Sequence, residues 1–112
     1  MNPRLPDMSP ESFPAEVLES TTPVLVDFWA PWCVPCRAFT PQVERVASEV
    51  GSRMKVVAVN AEAYPNLAST YEVSGLPALL VFVDGLVVAR KHGAAGGYGA
   101  ILQLINPYLE PA

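Results

Sequence analysis

The sequence predicts an α/β domain of three layers, a mixed sheet of four to five strands with helices on both faces. Three patterns point to it. Residues 23–30 form an apolar, β-branched run interrupted only by Asp27, as suits a central strand buried on both sides. Phe39, Val43, Val46, Ala47 and Val50 recur at helical spacing within residues 34–50. Residues 78–83 and 86–91 are strand-like runs joined by Asp84-Gly85, a strong two-residue hairpin signal. In chain order, residues 1–10 hold three of the twelve prolines and read as an extended arm, or an edge strand near residues 5–8. Residues 12–18 predict a short first helix with Pro14 in its first turn, where a missing N–H costs little. The 34–50 helix contains Pro41, so a kink is expected there, and Gly51 ends it. Residues 54–60 predict a second strand, parallel to the first across the helical crossover. A short helix fits 65–71. The last helix carries Tyr98, Ile101, Leu102, Ile105 and Leu109, and Pro107 should bend or stop its final turn. Residues 11–112 are read as one domain.

Composition narrows the function. The chain has 112 residues, 51% of them apolar, which suffices for a single buried core. Seven Lys and Arg against eleven acidic residues give a formal net charge of −4, which argues against nucleic acid as the main partner. The longest apolar run, residues 78–83, is far short of a membrane span. With no signal-like stretch at its start, the chain reads as a cytoplasmic protein without a membrane partner.

Cys33 and Cys36 lie in the string Trp29-Ala30-Pro31-Trp32-Cys33-Val34-Pro35-Cys36, which joins a buried strand to a long helix. Cysteines three apart at a helix start face the same side and can bridge. Cys33 would sit where helix N–H groups and the positive dipole end favour a thiolate, while Cys36 lies one turn deeper and shielded. This suggests an attacking sulfur outside and a resolving sulfur within, with Pro35 pre-setting the turn that holds them close. The other readings are weaker. A structural disulfide around so small a loop would contribute only about 2 kcal/mol. A zinc site would have to find its remaining ligands in His92 and carboxylates, and haem attachment needs a histidine where Arg37 stands.

Across residues 12–106 the chain resembles the thioredoxin family. The resemblance rests on Val24-Leu25-Val26-Asp27-Phe28-Trp29-Ala30, on Trp32-Cys33-Val34-Pro35-Cys36, on Val73-Ser74-Gly75-Leu76-Pro77 and on Phe82-Val83-Asp84-Gly85. It implies the thioredoxin fold and a dithiol–disulfide oxidoreductase. Cys33 would attack a client disulfide and Cys36 would displace the reduced client. It also implies that no cofactor is bound, that electrons come from NADPH through a flavin-dependent thioredoxin reductase, and that the partners are this reductase and disulfide-bearing client proteins, met as a monomer. Two alternatives stand beside it: a specialised oxidoreductase serving one client, and a non-catalytic interaction subunit or holdase of the same fold.

The resemblance assigns further roles. Asp27 would handle the proton of Cys36. The family often has lysine where this chain has Ala58, and without that cation desolvation should raise the Asp27 pKa. Leu76–Pro77 would be a cis bond facing the cysteines, leaving the Leu76 backbone free to pair with an extended client. Trp32, Gly75, Leu76 and Gly93 would form an apolar collar for that client, while Trp29 reads as packing beneath the motif. Val34 departs from the family's usual glycine and adds a stiff β-branched side chain beside Cys33. Ala78 replaces the usual threonine after the proline, and His92 reads as a solvated neighbour of the collar. Lowering the Cys33 pKa from about 8.5 to about 7 raises its thiolate fraction at pH 7 roughly 16-fold. Nucleophilicity falls about 5-fold over the same change, so the net gain is only about 3-fold. Proximity of the second thiol and docking of the client should therefore contribute more.

Overall fold

Strand β1 (Val24–Trp29) is the centre of the molecule in the computed structural model, which describes residues 5–111. It pairs in parallel with β2 (Lys55–Asn60) and antiparallel with β3 (Ala78–Val83). Strand β4 (Leu86–His92) closes the far edge against β3, giving the order β2-β1-β3-β4. An apolar run without alternation requires cover on both faces, and β1 has it: five of its six residues are buried. Edge strand β4 instead alternates between exposed and half-buried positions.

The two faces are packed by different elements. Val24, Val26 and Phe28 point to the side filled by Phe13 and Val17 and by Ala68 of helix α2 (Pro65–Thr70). Leu25 points to the other side, under Phe39, Val43, Val46 and Val50 of helix α1 (Val34–Val50) and Ile101 and Ile105 of helix α3 (Gly97–Ile105). Each of these large side chains contributes about 1.5–3 kcal/mol of gross burial free energy. By strand alternation Asp27 shares the Leu25 face, beneath α1.

The first helix differs in pitch from expectation. It is a π-helical turn over Pro14–Leu18, in which the Glu19 N–H donates to the Pro14 carbonyl at 2.9 Å. Its wide turn still buries Phe13 and Val17, four residues apart, as helical spacing requires. Helix α1 runs through Pro41 without interruption and ends at Gly51, whose φ of 55° lies in the left-handed region. The last helix stops at Ile105, and Pro107 falls in a 3-10 turn over Asn106–Tyr108. In the hairpin, Asp84 and Gly85 both take positive φ, and a Cβ on Gly85 would come within 2.9 Å of the Leu18 carbonyl oxygen.

The arm forms one parallel bridge, Asp7 to Ala58, on the outer edge of β2. The Ala58 N–H donates to the Pro6 carbonyl at 2.8 Å, and the Met8 N–H donates to the Ala58 carbonyl at 2.7 Å. The remainder of the expected arm, residues 1–4, lies outside the described residues. No helix of the described residues is long and apolar enough to cross a membrane.

Candidate active site

β1 delivers its C-terminal end directly to the cysteine motif. Trp29 ends the strand, Ala30-Pro31-Trp32 turns the chain, and Cys33 caps α1 in an extended conformation. The Cys33 N–H donates to the Ala30 carbonyl at 3.1 Å, which fixes the turn. Val34 and Pro35 occupy the first helical positions, where the absent proline N–H leaves nothing unsatisfied. Cys36 falls on the buried stripe of α1 with Phe39 and Val43, and so faces the side of the sheet that carries Asp27.

Cys33 and Cys36 are joined by a disulfide, with their Cα atoms 5.3 Å apart. The Cys36 N–H donates to Cys33 Sγ at 3.2 Å. A free helix N–H aimed at that sulfur, reinforced by the helix dipole, stabilises negative charge on it once the bond opens. The contrast in exposure is smaller than expected. In the bonded state Cys33 is 4% exposed and Cys36 1%, because Ala30, Trp29 and Leu76 pack around the pair. Cys33 is the more open of the two, yet it is covered and does not stand outside.

Asp27 is 2% exposed, and its Oδ1 has no hydrogen-bond partner among the described residues. Burial pushes its carboxyl up to about 7, and the charge of Asp7 adds to the effect. Its partner across the β1–β2 ladder is Ala58, whose methyl offers neither charge nor hydrogen bond.

The proline loop closes the other side of the pair. The Leu76–Pro77 bond is cis, and Pro77 is buried. The Pro77 carbonyl accepts the Gly93 N–H at 2.8 Å, which ties the loop to the end of the hairpin. Leu76 packs on the disulfide, and nothing among the described residues hydrogen-bonds its backbone. Trp32 and Val34 are large apolar side chains standing 63% and 69% exposed beside Cys33. Gly75 is exposed and Gly93 half-buried. His92 is exposed at the end of β4, opposite buried Ala78.

Trp29 is half-buried against the pair, and its indole Nε1–H donates to Asp7 Oδ1 at 3.1 Å. Sequence reasoning missed Asp7. The only signal was the alternation that sets Leu5 and Asp7 on one side of the arm and Met8 on the other, too short to read as a strand. Among the described residues no three His, Cys, Asp or Glu side chains gather as metal ligands.

A bridged cysteine pair at the head of a helix, on a four-stranded mixed sheet and closed over by a proline loop, defines a thiol–disulfide oxidoreductase. The family model described as Thioredoxin matches residues 5–106. The chain is 47% identical over 85 residues to Thioredoxin C-2 of Corynebacterium nephridii, covering 76% of this chain and 79% of that protein. It is 48% identical over 83 residues to Thioredoxin 1 of Synechococcus elongatus, covering 74% and 78%. To the chloroplastic M-type thioredoxin of Chlamydomonas reinhardtii it is 41% identical over 100 residues, covering 89% and 71%. The chain belongs to the thioredoxin family, and its activity is the reduction of protein disulfides.

Proposed function

We propose that Cys33 is the attacking sulfur, Cys36 the resolving sulfur and Asp27 the group that takes the Cys36 proton. In the reducing direction the Cys33 thiolate attacks one sulfur of a client disulfide. One client thiolate leaves, picks up a solvent proton, and a Cys33–client mixed disulfide remains. Asp27 takes the proton of Cys36, and the new thiolate attacks Cys33 Sγ. The second client thiolate departs, so two electrons pass to the client and the Cys33–Cys36 bond closes. The observation that carries this order is the Cys36 N–H donated to Cys33 Sγ, which favours the thiolate on Cys33 rather than Cys36.

Trp32, Val34, Pro35, Gly75, Leu76, Pro77 and Gly93 serve as the client collar in this reading. The exposed Trp32 and Val34 supply apolar contact. The unpaired Leu76 backbone supplies the edge to which an extended client adds. Electrons reach the oxidised pair from NADPH through a flavin-dependent thioredoxin reductase, and the chain works as a cytoplasmic monomer of one domain over residues 11–112.

The test is reduction of a protein disulfide with dithiothreitol as electron donor. Cys33→Ser and Cys36→Ser should each abolish turnover. Pre-reduced, freed of dithiothreitol and mixed with the client, Cys33→Ser should form no mixed disulfide, whereas Cys36→Ser should accumulate one, visible by mass spectrometry. Accumulation in Cys33→Ser instead would reverse the assignment. A second reading, an oxidoreductase narrowed to few clients, draws on the exposed Val34 side chain beside Cys33.

A further inference from the structure

Asp7 reaches the redox centre from the arm. It pairs with Ala58, and Ala58 pairs with Asp27. Partners in parallel register project to one face, so Asp7, Ala58 and Asp27 stand in a row on the face beneath α1. Two strand spacings, about 10 Å, separate the backbones of the two aspartates, with Ala58 on the strand between them. Trp29, two residues after Asp27, shares that face, and its indole is held by Asp7 Oδ1 at 3.1 Å. The same ring packs against Ala30, Cys33 and Cys36. One side chain thus bonds the ring beside the cysteines and acts through its charge on the buried acid behind them.

We propose that Asp7 is a positioning residue for the exchange reaction, holding the Trp29 indole under the cysteine pair and setting the charge that Asp27 meets. The surroundings of Asp27 leave this role to Asp7. Its sheet partners, Ala58 on β2 and Leu79 on β3, do not titrate, and the covering stripe of α1 brings Cys36. Among the described residues Asp7 is the charged group that acts on it, in the direction that keeps its proton on. A negative neighbour in place of a cation makes Asp27 a better proton acceptor once ionised and a scarcer one at neutral pH. The proposal rests on the proton role given to Asp27 above.

Two substitutions in the full chain separate the hydrogen bond from the charge. Asp7→Asn keeps an acceptor for the indole and removes the charge, while Asp7→Ala removes both. Titrating the Asp27 carboxyl carbon by NMR should show its midpoint falling by roughly half a pH unit to one unit in both variants. High salt should move the unaltered protein the same way, because Asp7 is exposed and its field is screened. The Trp29 indole N–H resonance should move in Asp7→Ala and stay near its place in Asp7→Asn. The pH midpoint of the exchange rate should fall with that of Asp27. An Asp27 midpoint unmoved in Asp7→Asn overturns the charge coupling, and an indole resonance unmoved in Asp7→Ala overturns the positioning of Trp29. A moved Asp27 midpoint with an unmoved rate profile instead overturns the proton role of Asp27, and with it the part of Asp7 in the exchange.

Discussion

A carboxyl with a buried, unpartnered oxygen makes the stability of this protein depend on one proton. Below about pH 3.8 both folded and unfolded chains hold the Asp27 proton, and the residue contributes no pH dependence. As pH rises from there, the unfolded chain releases the proton while the folded chain keeps it until about 7, so stability falls through that window and then levels. The loss approaches about 4 kcal/mol at and above neutral pH. Asp27→Ala removes that slope and leaves a small cavity costing about 1–2 kcal/mol. The variant should therefore be less stable than the parent near pH 4 and more stable by about 2 kcal/mol at pH 8, with a crossing between. Urea unfolding at several pH values checks the sign change. Protein-disulfide reduction should slow about tenfold at neutral pH in the same variant, less than the roughly hundredfold or more typical of general acid–base catalysis, because only about half of the Asp27 carboxyl is ionised there. Stability parallel to the parent at every pH would mean that the carboxyl is not held protonated by the fold.

At the scale of elements, the first turn of α1 turns an ordinary helix start into a sulfur site. Cys33 takes the capping position that a serine or aspartate fills elsewhere, and its sulfur accepts the Cys36 N–H. Val34 is the first helical residue and faces solvent, so its packing inside the fold counts for little. Val34→Gly should lower stability by about 0.5–1 kcal/mol, mainly through backbone entropy. If the side chain narrows the client range, the rate on a folded protein disulfide should rise several-fold relative to a small-molecule disulfide. An unchanged ratio removes that role. The start of α1 was readable from the chain because Trp32, Pro35 and the cysteine spacing act locally. β1 and the β3–β4 hairpin were readable for a similar reason, since an unbroken apolar run and an Asp-Gly turn each state their own geometry. The first helix was legible in place but not in pitch, because the choice between i→i+4 and i→i+5 bonds is made by what Phe13 packs against. That packing is with Tyr71 and Phe82, far along the chain, at ring distances of 5.4 and 5.7 Å. The near-equal burial of the two cysteines was equally hidden, as Leu76 covers them from a loop forty residues on.

For the molecule as a whole, the arm decides how the sheet ends. Without it, the outer edge of β2 would present unpaired N–H and C=O groups. With it, Leu5 joins the cluster under α1 and α3 while Met8 enters the cluster on the opposite face, so one short segment seals both cores at the same edge. A single bridge has no periodicity to read, and the Asp7–Trp29 bond spans 22 residues, so neither could be inferred from the order of residues alone. Removing residues 1–8 tests the seal. Burial of Met8 and part of Leu5 with two backbone hydrogen bonds amounts to roughly 5 kcal/mol gross. Ordering the chain offsets most of that at about 1 kcal/mol per residue. The net loss in urea unfolding should therefore be about 1–2 kcal/mol. Hydrogen exchange gives the sharper measure. Ala58 directs both its N–H and its C=O to the arm, so the amides of Val57 and Val59 point to β1 instead. In the truncated chain the Ala58 amide should exchange at least about tenfold faster, relative to Val57 and Val59, than in the intact chain. If the three amides keep their ratio, the arm does not hold the edge, and the path from Asp7 to the redox centre has no footing.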